Sequence, residues 1–398
     1  MTFSDADEIP AAIGVWLVGA RGSVAVTAIA GAAAPRAGLL EPIGCVTAAP
    51  EFAAAGLPDY ADLVFGGHDI SGVSVLKQAE ELVADGVLPA GIPEAVADGL
   101  RAADAAIRSV PLPADDVRPV RERIRGLIAD IEEFRDARRM RRIVVVNVAS
   151  TEPPSPEQPW HHSLAELEAA LDRDVAELAP STQYAYAAMR AGCSYVDFTP
   201  STGARPPALD ELARSVGVPY AGSDAKTGET LLVSALAPMF TARALRVRSW
   251  SGTNLLGGGD GATLADAGAA ASKTVSKRRG LDRLLGAPVE GRTHIDNVPT
   301  QGGWKTAWDH IGFEGFGGVR MTMQLTWQGC DSALAAPLVL DLARLLARAH
   351  DSGAVGAFAP AAFFFKDPVP AGPGEDVEYR LASQYDALLA WAASVAGC

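Results

Sequence analysis

The chain has 398 residues, 48% hydrophobic and 21% charged, and its 34 basic side chains against 48 acidic ones leave a net charge of −14. This is a globular composition, too apolar for disorder, and no basic stripe offers a nucleic-acid surface. No apolar stretch of membrane-spanning length runs free of Gly, Pro or charge. The N-terminus, MTFSDADEIP, is acidic where a signal peptide is basic. The four cysteines (Cys45, Cys193, Cys330, Cys398) lack metal-like spacing, so a cytoplasmic protein with reduced thiols is expected.

Residues 13–20, IGVWLVGA, read as a strand ending in glycine. Arg21-Gly22-Ser23 and an Ala/Val-rich segment follow, the pattern of strand, glycine turn and helix. Residues 42–49, PIGCVTAA, fit a second buried strand. Short elements broken by Pro and Gly follow to residue 115, among them LVFGGHDISG at 63–72. Residues 117–141 have helical periodicity, with Val117, Val120, Ile124, Leu127, Ile128, Ile131 and Phe134 on one face. The basic run Arg138–Arg142 reads as the cap of that helix. It leads into IVVVN, a β-branched run typical of a strand buried on both faces. Helices are expected at 163–178, 181–191 and 209–217, and strands at 193–200 and 218–224. This alternation predicts an α/β fold with a doubly wound parallel sheet. After Leu245, extended segments at 247–252, 289–300 and 319–329 predict an antiparallel sheet with one solvated or interfacial face. A long apolar helix is expected over 335–349. The expected layout is a nucleotide-type domain (1–226), an inserted α+β domain (227–334) and a helical return (335–398).

Only six of the 34 basic residues are lysines, and five of these lie after residue 220 beside motif-like neighbours. Lysine loses its proton readily on burial, whereas arginine keeps it. Four groups of residues could carry chemistry. The turn Gly19-Ala20-Arg21-Gly22-Ser23 can bring backbone N–H groups to a pyrophosphate, although its spacing is not G-x-G-x-x-G and a plain packing turn explains it as well. No acid stands cleanly at the end of a 42–49 strand to hold a ribose; Asp69 could do so from the next crossover, or serve as a turn acid. Gly222-Ser223-Asp224-Ala225-Lys226-Thr227-Gly228-Glu229 leaves a strand and enters a helix, as an anion site or an ordinary capped start. Lys273 and Lys277 share a face if helical, where mutual repulsion lowers one pKa and suits a phosphate, or form a solvated patch. Lys305, the Asp331-Ser332 junction and Lys366 after three phenylalanines form the fourth group. Burial there would free an amine, unless Lys366 snorkels.

Taken in order, VFGGHDIS, VNVASTE, ELAPSTQYAYAA, VPYAGSDAKTGET, NLLGGGDGATL, SKTVSK, Lys305, CDSALAAPLVLDL and Lys366 resemble the myo-inositol-1-phosphate synthases almost end to end. The resemblance implies an NAD-binding Rossmann-type domain, a second domain whose sheet joins a homotetramer, and an active site between them. It implies catalytic roles for Lys273, Lys305, Lys366, Asp224 and Asp331. Thr227, Gly228, Glu229 and Lys277 fall at the substrate phosphate. Gly19, Ala20, Arg21, Gly22, Ser23, Asp69, Ala149, Thr151, Asp224 and Asp260 fall on NAD contacts. The metal or cation requirement is left open. The implied reaction is an isomerising cyclisation of a hexose 6-phosphate: oxidation at carbon 5, enolisation at carbon 6, an internal aldol step, and reduction by the same NAD.

The departures bear on the substrate. Gly258-Gly259 stand where the family has an Asn pair, Leu231 replaces a lysine, and His68 replaces a Trp before Asp69. The expected product is myo-inositol 1-phosphate from glucose 6-phosphate. The alternatives are a five-membered cyclitol phosphate from fructose 6-phosphate, a dehydrogenase that releases NADH, and a non-catalytic nucleotide-binding regulatory protein. Asp69 predicts NAD over NADP by repelling a 2′-phosphate, while Arg21 could attract one.

Overall fold

In the computed structural model, which describes residues 12–36, 38–109, 116–257, 280–372 and 374–397, the first apolar run is buried from Ile13 to Val18. The strands in chain order are β1 (Ile13–Val18), β2 (Leu63–Asp69), β3 (Ile107–Ser109), β4 (Arg142–Asn147), β5 (Ser194–Asp197), β6 (Pro219–Gly222), β7 (Arg246–Leu256), β8 (Thr293–Asn297), β9 (Trp304–Glu314), β10 (Arg320–Cys330) and β11 (Gly356–Ala357). The helices are α1 (Ser23–Arg36), α2 (Val75–Ala84), α3 (Ile92–Ala95), α4 (Ala97–Asp104), α5 (Val120–Ala137), α6 (Leu164–Asp172), α7 (Pro180–Arg190), α8 (Pro207–Val216), α9 (Glu229–Ala242), α10 (Asp331–Asp351) and α11 (Leu381–Ser394).

Seven strands form one parallel sheet in the order β3-β2-β1-β4-β5-β6-β11. Chain direction across the sheet reverses between β1 and β4, which opens a crevice at their C-terminal ends. Alternate side chains of β1 and β4 explain the unbroken apolar runs. Val15, Leu17, Val144 and Val146 pack with α1, α2, α4 and α10. Trp16, Val18, Ile143 and Val145 pack with α5, α6, α7 and α8 on the other face. The second sheet has the order β10-β9-β7-β8. Its β7–β9 and β9–β10 pairs are antiparallel, but β8 runs parallel to β7, so the sheet is mixed rather than purely antiparallel. No helix among the described residues is long and apolar enough to cross a membrane.

Other elements also differ from the sequence reading. Residues 42–49 form no strand; only a short helical turn lies at Val46–Ala48. The backbone N–H groups of Val46 and Thr47 donate instead to the carboxylate of Asp341 on α10, at 2.6 and 3.2 Å. The second strand of the sheet is 63–69, and Asp69 is its last residue. Helix α5 starts at Val120, which leaves Val117 96% exposed. The run after α5 is more than a cap: Met140 is buried, and Arg141 and Arg142 pair with Asp351 at the C-terminal end of α10 at 3.1 and 2.9 Å.

Gly19 ends β1 with φ +88°, and a Cβ there would stand 2.8 Å from the Ala149 Cα. Gly38 also has positive φ (+69°), but a Cβ on it would meet nothing among the described residues within 4 Å. Gly38→Ala should therefore report backbone strain alone, and Gly19→Ala strain plus a clash. We expect the Gly19 variant to lose about 2 kcal/mol more than the Gly38 variant in urea unfolding; equal losses would show that β1 and β4 do not need this close approach.

Candidate active site

The crevice between β1 and β4 holds a cavity of about 310 Å³. Four parts of the chain wall it: the start of α1 (Gly22–Val24), the loop after β4 (Val148–Thr151), the segment after β5 (Phe198–Pro200), and residues Asp224, Ala225 and Thr227. The second sheet adds Leu256, Gly257, Gly303 and Trp304, the start of α10 adds Asp331 and Ser332, and Lys366 completes the wall. The N-termini of α1 and α10 thus both present partial positive charge to the cavity.

In the glycine turn, the N–H groups of Gly19 and Ala20 donate to the His68 carbonyl at 2.9 and 3.1 Å. The Arg21 N–H donates to Asp69 Oδ2 at 2.6 Å, and the Ser71 N–H to Oδ1 at 2.7 Å. Asp69 thus joins the end of β2 to the turn, the place where a carboxylate meets a ribose in this type of sheet. The Arg21 guanidinium is engaged by Asp104 at 2.9 Å and the Ser71 carbonyl at 2.8 Å; Gly22 and Ser23 line the cavity, whereas Gly19, Ala20, Arg21 and Asp69 stand behind its wall. Behind the turn His68 is fully buried between Asp130 (3.2 Å) and the Tyr184 hydroxyl (3.0 Å). Burial holds this imidazole down at about 4, against the opposing pull of Asp130, so it is neutral at pH 7.

Lys366 and Asp224 meet because three chain segments lie side by side. The N–H groups of Asp224 and Ala225 donate to the carbonyls of Thr199 and Phe198 at 3.0 and 2.9 Å. On the other side, the Lys366 N–H donates to the Asp224 carbonyl at 2.7 Å and the Lys226 N–H to Phe364 at 2.8 Å. Asp224 takes a left-handed φ of +59°, a conformation Asp tolerates better than most residues. The Lys366 ammonium lies 2.7 Å from Asp224 Oδ1, and both side chains are buried. A looser pair, Lys305 to Asp331 at 3.7 Å, spans the start of β9 and the start of α10.

Thr227 lines the cavity, and Gly228 precedes the first turn of α9. A Cβ on Gly228 would come within 3.0 Å of the Trp327 indole nitrogen, so glycine lets this helix start settle on β10. Glu229 is buried beside the second sheet, where a Cβ on Gly252 would lie 3.5 Å from its Oε1 and 2.9 Å from Asp309 Oδ1. Asp309 accepts the Trp250 indole N–H at 2.9 Å and shares the buried face of the sheet with Lys305 and Asn254. The sequence reading singles out neither Asp309 nor Thr199, whereas Trp304, beside Lys305 in the fourth group, does line the cavity; a buried acid in an alternating strand is the available signal for Asp309. Lys226, inside the GSDAKTG motif, turns away from the cavity and donates to Gln384 on α11 at 2.7 Å. Burial lowers its amine to about 7. Lys273, Lys277, Asp260 and the Gly258-Gly259 pair lie outside the described residues.

The sequence model of the myo-inositol-1-phosphate synthases matches residues 13–392. The chain belongs to this family. Inositol-3-phosphate synthase 1 of Bacteroides thetaiotaomicron is 32% identical over 95% of this chain and 93% of its own length. The fold is shared with inositol-3-phosphate synthase of Caenorhabditis elegans (TM-score 0.86, 22% identity, 98% of this chain and 86% of that one). A myo-inositol-1-phosphate synthase-related protein of Thermotoga maritima is also similar (TM-score 0.78, 24% identity, 96% and 98% covered).

Membership makes this chain an NAD-dependent enzyme of the isomerase type. The residues present fit the cofactor: a glycine turn that only a residue without Cβ can make, the start of α1 open to the cavity, and a carboxylate at the end of β2. Asp69 should favour NAD over NADP by about tenfold or more, and Asp69→Ala should narrow that preference. Calorimetric titration of both dinucleotides checks this; tighter NADP binding by the unaltered enzyme would refute the assignment of Asp69.

Proposed function

We propose that the enzyme converts glucose 6-phosphate to myo-inositol 1-phosphate. The observation that carries this reading is the Lys366–Asp224 pair on the wall of the same cavity as the glycine turn and the start of α10. NAD supplies a hydride acceptor that becomes the donor later in the same turnover, so the sugar is isomerised without net oxidation. Lys366 and Lys305 place ammonium groups where oxygens gain negative charge during enolisation and ring closure. Asp224 and Asp331 hold those ammonium groups in position. The start of α9, with Thr227, Gly228 and Glu229, directs backbone N–H groups at the substrate phosphate. In this reading Lys273 and Lys277 complete the cationic set.

A second substrate is favoured by one feature, Leu231 in the first turn of α9, whose N–H is bonded to the Gly228 carbonyl at 2.8 Å. An apolar residue in place of a lysine weakens one side of a phosphate clamp and suits a sugar held at another tilt. Fructose 6-phosphate would then close carbon 6 on carbon 2 to a five-membered cyclitol phosphate. Whichever sugar is used, we propose that the exposed face of the second sheet, where Trp308 is 41% accessible, is the subunit contact of a homotetramer. Sedimentation should give four chains per particle.

Incubation of the enzyme with NAD and each hexose 6-phosphate, followed by NMR of the products, decides the substrate. We expect a six-membered cyclitol phosphate from glucose 6-phosphate and no accumulation of absorbance at about 340 nm, because the reduced cofactor is consumed in each cycle. A five-membered product from fructose 6-phosphate alone would establish the second reading, and no product from either sugar would refute both. Lys305→Ala and Lys366→Ala should each lower turnover about 100-fold. Exposed Lys77, 3.9 Å from Glu80 on α2, should be replaceable by Ala without loss.

A further inference from the structure

Asp197, the last residue of β5, is buried at the base of the cavity wall. Its Oδ1 accepts from the Asn147 amide and from the Thr199 hydroxyl, both at 3.2 Å. Its Oδ2 is buried and has no hydrogen-bond partner among the described residues. That oxygen is roofed by backbone: a Cβ on Gly203 would stand 1.7 Å from it. Asn147 continues the chain of contacts, because its Oδ1 accepts the N–H of Ala149. Ala149 and Thr199 belong to the two loops that wall the cavity after β4 and β5.

We propose that Asp197 is a positioning residue for cofactor binding, whose carboxyl sets both of these loops through Asn147 and Thr199. The carboxyl does so in its protonated form. Ionised, it would place half its charge on a buried oxygen that no donor faces, a state penalised far more than the neutral acid. Burial pushes the group up to about 8; the guanidinium of Arg205 pulls it down, and the carboxyl of Glu152 pushes it up. The other charged or titratable groups around it are already engaged or neutral. Arg205 is bound to the Ser223 hydroxyl and, at 2.7 Å, to Asp367. Glu152 accepts the Ser181 N–H at 2.8 Å, and Tyr195, two residues earlier on β5, is kept neutral by burial. Loss of the Asp197 proton tightens its hold on Asn147 and Thr199 and competes with Asp367 for Arg205. Both effects shift the loops that NAD must meet.

The test is NAD affinity by calorimetry at pH 7 and pH 9 on the full-length enzyme, a readout that needs no sugar and is therefore independent of the substrate proposed above. The unaltered enzyme should bind NAD about tenfold more weakly at pH 9, the limit for one proton lost near pH 8. Asp197→Asn, which mimics the neutral acid, should bind equally at both pH values and as tightly as the unaltered enzyme at pH 7. Asp197→Ala, which leaves Asn147 and Thr199 without their shared acceptor, should bind weakly at both. A pH effect that persists in Asp197→Asn, its absence from the unaltered enzyme, or full affinity in Asp197→Ala would overturn the proposal.

Discussion

The ion pair between Lys366 and Asp224, 2.7 Å apart and buried, joins the last part of the chain to the end of its parallel sheet. Two charges taken out of water repay their desolvation only when the geometry is good, and loss of either partner leaves the other stranded at a cost of roughly 3–5 kcal/mol. Here the geometry is imposed by backbone pairing. Residues 222–226 lie between 198–199 and 364–369, so the carboxylate and the ammonium are delivered by neighbouring segments whose backbones are hydrogen-bonded to one another. The same pairing explains why Lys226, two residues away, points elsewhere and spends its amine on Gln384. One lysine is held at the cavity wall and the other in the hydrophobic layer beneath α11.

A second consequence follows at the cavity. Its walls are strand ends and helix starts, where the first N–H groups of a helix lack intrahelical acceptors and side chains are fixed by rigid elements. The polar residues behind the wall (Asn147, Asp197, Thr199 and Ser201) are bonded chiefly to one another and to the backbone of the two loops. Such a network is rigid when it is satisfied and vulnerable where it is not. The unpartnered oxygen of Asp197 is the vulnerable point.

The second sheet contributes through one face. Lys305, Ala307, Asp309 and Ile311 on β9 face the same buried side as Trp250, Gly252, Asn254 and Leu256 on β7. Charge and amide groups thus cluster at the end of the sheet nearest the cavity, while Trp250 and Ile311 anchor the apolar end with Phe240 of α9. Gly252 makes room for Asp309 and Glu229, so an absent side chain shapes the site as much as those present.

Local pattern was enough to determine the parallel sheet, the glycine turn and the starts of α9 and α10, because period, run length and turn chemistry are properties of neighbouring residues. Motif order was enough to determine the family and with it the cofactor. The tertiary structure decided what depends on distant partners. Residues 42–49 have a strand's composition, yet their N–H groups are claimed by Asp341 almost 300 residues later, and the second strand passes to 63–69. That exchange moves Asp69 from a crossover to the end of a strand. Likewise, GSDAKTG does not reveal which of Asp224 and Lys226 faces the cavity. The choice is made by the pairing of Lys366 with Asp224 across 142 residues, which gives each buried charge a hydrogen-bonded counter-charge.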